Sequence, residues 1–589
     1  MTNIYIDDVK YTVKDNLSII EAAQSVGIYI PHFCWHPELS VSGNCRMCLV
    51  QTGMQGKNPD GTLAVDENGN PKINYGPKLQ IACGTKITEG IRIKTKNDIV
   101  INAQEAIMEF LLVNHPLDCP ICDEAGNCKL QEYAYNYSNG ESRFFEEKNH
   151  KPKRVSWGDN VIYDAERCIT CSRCIRFAKE VAKEPVLSFT NRGDKVFVHL
   201  ETDKEFNNPY SMNVIDICPV GALTSKDFRF KARVWDMSFS DSICNSCSRG
   251  CNIKIGVRKN DILRLEPKQN DKVNKHWMCD YGRLNYQDIN ENRIKSPMIN
   301  RNQGLEAAKW DDAINETVNL IKQYKNNEIY FIISPFQSNE ALYLTNKFLH
   351  SSFKNSNYGY FEYLDESFAD DLLKTNDKSP NQNGLKKLIA DAEKINIEKL
   401  KEIIKNKNIK LLYIFDTQLH NISGIEKIFN NELNIISHCT NLTSIAQHSK
   451  IVLSSAYFAE SEGTISNIDG IVQYYAPALI NTENQRYMGF QMSRLDKFGA
   501  KEDRWMKNNV RDIRSDWRII QLLANKFSAG FNYSNSENIF DEIAHHIPHF
   551  KNMSYAKLIK FSGLKIGDEI SNLSEPAFYK TNFMKFTNS

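Results

Sequence analysis

Sixteen cysteines carry most of the chemistry this chain can offer. All but Cys439 lie between Cys34 and Cys279, in four groups. The groups are Cys34, Cys45, Cys48 with Cys83; Cys119, Cys122, Cys128 with a nearby His115; Cys168, Cys171, Cys174 with Cys218; and Cys244, Cys247, Cys251 with Cys279. Each offers four soft ligands, the donor set that holds zinc or iron–sulfur clusters. Four such sets in a row, with little acid–base or nucleophile machinery around them, predict a wire of metal clusters.

Two plainer readings compete. A disulfide framework belongs to small secreted domains. This chain has 589 residues and opens with Met1-Thr2-Asn3-Ile4-Tyr5-Ile6, which has no basic or apolar leader. Zinc is the more serious rival and has to be weighed group by group. Length predicts several domains, roughly four at about 150 residues each. A formal charge of +1 and a pI near 7.5 give no support to a nucleic-acid partner. The longest apolar runs, such as Leu411 to Phe415, are strand-sized, so no membrane span is expected.

The elements around the first group are legible. Ile4–Ile6 and Val9–Val13 read as a hairpin about Asp7-Asp8. Ser18-Ile19-Ile20-Glu21 is a capping box for a helix that stops at Gly27. Hairpin, helix and Cys loop together resemble a plant-type ferredoxin. The first spacing departs from that family's C-x4-C, and residues 53–77 read as an inserted surface hairpin. Small residues Ser42, Gly43 and Asn44 let amides approach the sulfurs. A 2Fe–2S cluster is expected.

A helix over Ile99 to Asn114 is predicted to bury Ala103, Ala106, Ile107, Phe110 and Leu111, and to end at Pro116. His115 follows, then Cys119-x2-Cys122-x5-Cys128. A full tetrad there needs His115; a zinc site of three cysteines and one histidine, and a mere helix-capping histidine, both stay open. Tyr133, Tyr135 and Tyr137 read as packing. The third group, Cys168-x2-Cys171-x2-Cys174 with a distant Cys218-Pro219, follows two-cluster ferredoxin logic. The second site of such a frame has lost its cysteines, because Ala178, Asn208, Ser211 and Val214 stand there. One 4Fe–4S cluster is expected. The fourth group, with Cys279 after 27 intervening residues, resembles the small cluster domain of molybdopterin oxidoreductases, with strands at Asn252 to Val257 and Asp261 to Leu265.

Beyond Cys279 the texture becomes α/β. A helix opens at Trp310, another covers Ala341 to Leu349, and strands are read at Glu328 to Ile333, Leu411 to Phe415 and Lys450 to Ser454. Lys374 to Lys387 and Lys394 to Lys407 read as solvated, and Cys439 as a small buried hydrophobe.

Three segments carry a specific resemblance. They are Asn114-His115-Pro116-Leu117-Asp118-Cys119-Pro120-Ile121-Cys122-Asp123; Arg167-Cys168-Ile169-Thr170-Cys171-Ser172-Arg173-Cys174; and Ile217-Cys218-Pro219-Val220-Gly221-Ala222-Leu223. They look like the large iron–sulfur subunit of respiratory complex I, the G or 75-kDa subunit, over residues 1–290. Residues 458–464 and 467–473 look like a molybdopterin-oxidoreductase segment. The resemblance implies a multidomain α+β and α/β chain. Its parts are a 2Fe–2S β-grasp domain over 1–98, a 4Fe–4S domain with one histidine and three cysteine ligands over 99–138, and a degenerate double-ferredoxin domain over 139–235. A fourth cluster domain over 236–295 and a trimmed molybdopterin-oxidoreductase-like domain over 296–589, without its cofactor, complete it. It implies His115 as a true ligand, one 2Fe–2S and three 4Fe–4S clusters, and no molybdenum. It implies no substrate site and no catalytic residue. The partners implied are a flavin- and NADH-binding subunit and other peripheral-arm subunits, at the cytoplasmic side of a bacterial inner membrane.

The chain shows no G-x-G-x-x-G, P-loop, G-x-S-x-G or H-E-x-x-H. Rival readings are a molybdenum enzyme of formate dehydrogenase type, the electron-transfer part of an NAD-linked hydrogenase, and a zinc-held scaffold. Against the first, no cysteine lies between Cys279 and Cys439.

Overall fold

The structure, a computed structural model, describes residues 1–301, 304–354, 356–415, 418–429, 433–484 and 510–567. The rest of the expected C-terminal domain lies outside the described residues. The chain divides into two compact units, Met1–Val234 and Trp235–Glu575.

In the first unit, strands Thr2–Ile6 and Val9–Val13 pair as a hairpin, with Asp7 and Asp8 both at positive φ. The helix Ile19–Ser25 starts on the capping box: Ser18 Oγ accepts from Glu21 N, and the Glu21 carboxylate accepts from Ser18 N at 2.7 Å. It ends before Gly27, whose φ of +80° suits glycine. Arg92–Lys94 runs parallel to Thr2–Ile6 and antiparallel to Leu49–Gln55, which gives the mixed sheet of a ferredoxin-like domain. Its core joins Ile4, Ile6, Ile19, Ile20, Val50 and Ile93 to Cys48 and Cys83, so packing itself places two thiols. The insert is a hairpin pairing Leu49–Gln55 with Ile73–Tyr75.

The helix Asp98–Val113 forms where predicted but turns a different face inward. Val100, Gln104 and Met108 are buried, while Ala106 and Phe110 are exposed and Ala103, Ile107 and Leu111 lie between. The helix is apolar nearly all round, so periodicity alone could not select its buried stripe. Tyr133 packs fully, but Tyr135 is exposed. Beyond it, Val161–Tyr163 pairs with Val155–Ser156 and Leu223–Ser225, and the helix Arg173–Glu180 follows directly on the third cysteine loop.

The second unit opens with the antiparallel strands Ser238–Ile243, Asn252–Arg258 and Asp261–Pro267. An eight-stranded sheet follows. From one edge its order is Glu393–Lys394, Asn357–Tyr360, Ile329–Ile333, Leu411–Ile414, Asn434–Cys439 and Ile451–Ser454, all parallel. Met298–Arg301 and Gly304–Ala307 finish it antiparallel. Chain order reverses between Ile329–Ile333 and Leu411–Ile414. Both faces are covered, so alternate residues enter different cores: Ile329, Phe331 and Ile333 one, Tyr330 and Ile332 the other. That explains why these strands read as unbroken apolar runs.

Residues 374–387 are not the solvated stretch expected. Ser379, Asn381 and Leu385 are fully buried, and the polar members are engaged: Asn381 Nδ2 donates to Gln337 O at 2.8 Å, and its Oδ1 accepts from Ser466 N at 2.7 Å. Cys439 is buried within the sheet, as expected of a small apolar side chain.

Candidate metal centres

The ends of the first domain's elements gather Cys34, Cys45, Cys48 and Cys83. Cys34, Cys48 and Cys83 are each 1% exposed. The thiols hydrogen-bond one another: Cys34 with Cys45 and Cys83, and Cys48 with Cys83. Sharing with Cys45, then Cys83, holds Cys34 down at about 2, while that same sharing and burial push Cys45 and Cys83 far up. One proton leaves such a group easily and the rest do not. Cys34 N donates to Cys45 Sγ at 3.4 Å, and the amides of Asn44 and Cys45 face Cys34.

Cys168, Cys171, Cys174 and Cys218 converge in the same way. Cys174 feels Cys168, Cys171 and Cys218, and burial with Cys171 pushes Cys168 up to about 11. The loop places Thr170 and Ser172 at φ values of 53° and 62°, a left-handed backbone that turns amides onto sulfur. Thr170 N donates to Cys168 Sγ at 3.3 Å. The Tyr163 hydroxyl also donates to Cys168, and it accepts from Val198 N at 3.0 Å.

In the second group, burial raises Cys122, which feels Cys119, and pushes Cys128, which feels Cys122, to about 12. Cys119 is exposed. Burial, then Arg167 and Lys148, lower His115 to about 4, so at neutral pH its ring is the uncharged form that binds metals. Its electrostatic contacts reach the thiols through Arg167, which also acts on Cys122, rather than through a sulfur. Arg167 is in turn held by Asp118 at 2.8 Å.

The fourth group sits in the second unit. Cys251 feels Cys244, Cys247 and Cys279, and Gly282 N donates to Cys279 Sγ at 3.3 Å. Its loop is tied to the α/β part: Gln473 Nε2 donates to Gly250 O at 3.0 Å and Asn467 Nδ2 to Arg249 O at 3.1 Å. Among the described residues no three His, Cys, Asp or Glu side chains are set as a site for a single metal ion. Four sulfurs, or three with a neutral imidazole, met by converging amides, are a donor set that fits iron–sulfur clusters.

Loops distant in the chain meet in the first unit. The first and third loops touch: Asn44 Nδ2 donates to Thr170 O at 3.0 Å, and Ser172 Oγ to Ser42 Oγ at 3.1 Å. The third and second touch through Cys218-Pro219, where Lys129 N donates to Pro219 O at 2.9 Å. The third group's loops therefore touch those of both the first and the second. Buried Arg173 and Arg176 fill the first seam, and sequence reasoning gave them no role. Their signal was a basic i, i+3 pair on a helix begun inside a cysteine motif.

The comparisons with known proteins follow this layout. The 2Fe-2S iron-sulfur cluster binding domain matches residues 1–98, and the NADH-ubiquinone oxidoreductase-G iron-sulfur binding region matches 104–143. The ferredoxin-like domain of NADH-quinone oxidoreductase subunit 3 matches 158–224. The Molybdopterin oxidoreductase Fe4S4 domain matches 237–291, and Molybdopterin oxidoreductase matches 293–393. The chain thus carries both 2Fe–2S and 4Fe–4S binding domains. It is 37% identical to the NADH-ubiquinone oxidoreductase 75 kDa subunit of Reclinomonas americana, over 59% of this chain and 48% of that one. It is 35% identical to the NADH-quinone oxidoreductase G subunit of Rickettsia bellii, over 62% and 50%. It is 36% identical to subunit 3 of the Thermus thermophilus NADH-quinone oxidoreductase, over 56% and 44%. The matched stretch spans about half the length of these relatives. A solved NAD+-reducing [NiFe]-hydrogenase is 24% identical and covers 40% of this chain and 91% of that one, at a TM-score of 0.32, too low to speak to the fold. With iron–sulfur domain matches in register with the thiol groups, the chain is a homologue, over about 60% of its own length, of the NADH-quinone oxidoreductase G, or 75-kDa, iron–sulfur subunits.

Proposed function

We propose that this chain is the electron-carrying subunit of an NADH:quinone oxidoreductase, taking electrons from a flavin subunit and passing them towards quinone. Its ligands on this reading are Cys34, Cys45, Cys48 and Cys83 for a 2Fe–2S cluster. Three 4Fe–4S clusters are held by His115, Cys119, Cys122 and Cys128; by Cys168, Cys171, Cys174 and Cys218; and by Cys244, Cys247, Cys251 and Cys279. The five-part division at residues 98, 138, 235 and 295 goes with it. The observation that carries the proposal is the placement of the third thiol group in contact with both the first and the second. Electron tunnelling falls steeply with distance, so touching loops are what a relay needs.

When bound, the clusters supply one-electron carriers. The chain's own residues hold them by sulfur, exclude water through burial, and aim N–H and O–H groups at the ligating sulfurs, which sets potential. Exposed Ile101, Phe110, Leu117, Ile121, Tyr135 and Phe145 come from the elements around the second group and suit a partner subunit. Among the described residues no helix is long and apolar enough to cross a membrane. Attachment at the cytoplasmic face of a bacterial membrane then falls to partner subunits.

The test is iron and sulfide content with EPR of the dithionite-reduced protein. The proposal expects about 14 Fe, from one two-iron and three four-iron centres. A colourless, zinc-holding protein without a reducible signal overturns it, and so does molybdenum bound with unaided formate oxidation.

A further inference from the structure

Two arginines are buried in the seam between the first and third thiol groups. Arg176 is 9% exposed and Arg173 5%. Among the described residues neither is ion-paired with a carboxylate. Burying a guanidinium without a counter-charge is costly, and such a charge persists only where something nearby is negative.

The Arg176 fork spans the seam. Its Nη2 donates to Cys34 O at 2.5 Å and to Cys171 O at 3.5 Å, its Nη1 donates to Ser40 O, and its Nε donates to Ser172 Oγ at 3.1 Å. One guanidinium thus binds the main chain of a cysteine from each group. Arg173 joins Trp35 O, beside Cys34, to Ile217 O, beside Cys218, at 2.5 and 2.9 Å. The charges that act on Arg176 are Cys171, Cys34, Arg173 and Glu180. Glu180 stands further off, where it accepts from Ser40 N at 2.9 Å and from Ser40 Oγ. The charged forms that favour Arg176 most are Cys171 and Cys34, one from each group, ahead of Glu180.

We propose that Arg176 is a positioning residue shared by the first and third centres: its fixed charge, delivered through hydrogen bonds to Cys34 and Cys171, raises the reduction potential of both together. This rests on those eight cysteines holding clusters. A guanidinium does not lose its proton in a protein, so its charge does not vary along the relay. Reducing either centre adds one electron and no proton to the seam. The cation stabilises the added charge in each, so both potentials rise while the gap between them, which drives the hop, is little changed. Lysine cannot reproduce the fork, because it offers a point charge on a flexible stem.

The experiment is an EPR-monitored redox titration of the purified full chain, or of the complex containing it. R176Q is expected to lower both midpoints by roughly tenfold in the oxidised-to-reduced ratio, about 59 mV for one electron. R176K keeps the charge without the fork, and is expected to recover only part of that shift. E180Q removes the neighbouring negative charge while leaving an amide oxygen to accept from Ser40, and is expected to raise both midpoints by a smaller amount. It also serves as the second arm if R176Q fails to assemble. Iron present with neither midpoint moved, or with one moved alone, overturns the role of Arg176. E180Q shifting the midpoints downward does the same. Absence of iron from the unaltered protein overturns the cluster reading instead.

Discussion

Gly221 lies so close to Cys122 that a Cβ built on it would fall 2.3 Å from the Cys122 sulfur. The same Cβ would stand 3.0 Å from Glu124 Cβ. Gly221 follows the Cys218-Pro219 turn, so this contact seats the second group against the third. In Gly221→Ala the new methyl meets the Cys122 sulfur and Glu124 Cβ, and a sulfur tied to a cluster could not turn away from it. We expect loss of the second centre, measured as about four iron atoms and one EPR signal fewer, with the first centre retained. Full iron content in this variant would show that the close approach is dispensable.

Tyr163 offers a cleaner way to address the third centre. Its hydroxyl donates to Cys168, and its ring stacks on Trp157 with centroids 4.4 Å apart. Tyr163→Phe keeps the ring and removes the donor. A sulfur that loses a hydrogen bond binds its metal as a stronger donor, so the third centre's midpoint falls while the first stays in place. Val198 N also loses its acceptor, at a cost of about 1–3 kcal/mol. A redox titration and a thermal melt on one sample separate the two effects.

His115→Cys replaces a neutral donor with an anionic one. The cluster is expected to assemble, with a lowered midpoint, because added negative charge at the ligand disfavours reduction. Loss of the folded protein with no iron signal at any stage would point to a structural zinc instead.

Glu460 is the acid-sensitive point of the second unit. It is 1% exposed and takes Arg293 Nη2 at 2.5 Å and Arg511 Nη1 at 2.8 Å. Burial alone would raise its carboxyl, but Arg293 and Arg511 outweigh burial and hold it below the ordinary range. A carboxyl depressed in the folded state contributes stability above its unfolded value near ~4.3, and that stability is lost as pH falls through the folded value. Glu460→Gln is expected to destabilise this unit by about 3–5 kcal/mol, since two buried guanidinium groups lose their counter-charge. Unfolding followed against pH should show a weaker acid limb in the variant, with the EPR signals of the first-unit centres unaffected.

Local spacing determined a good deal of this protein. The capping box at Ser18, the hairpin at Asp7-Asp8, and the parallel strands at Ile329–Ile333 and Leu411–Ile414 all follow from residues close in the chain or from short motifs. Such features rest on hydrogen bonds and side-chain alternation over a few residues, which a sequence displays directly. The buried face of the helix Asp98–Val113 did not follow, because an apolar residue on every side leaves the choice to whatever packs against it. Nor did the burial of Ser379, Asn381 and Leu385 within residues 374–387, where Asn381 is satisfied by Ser466, 85 positions away. The contact of the third thiol group's loops with both the first and the second, and the placing of Arg176 across the seam, were decided by tertiary structure alone. Contacts such as Arg176 with Cys34, 142 residues apart, depend on how separate domains close on one another, and spacing along the chain carries no trace of that.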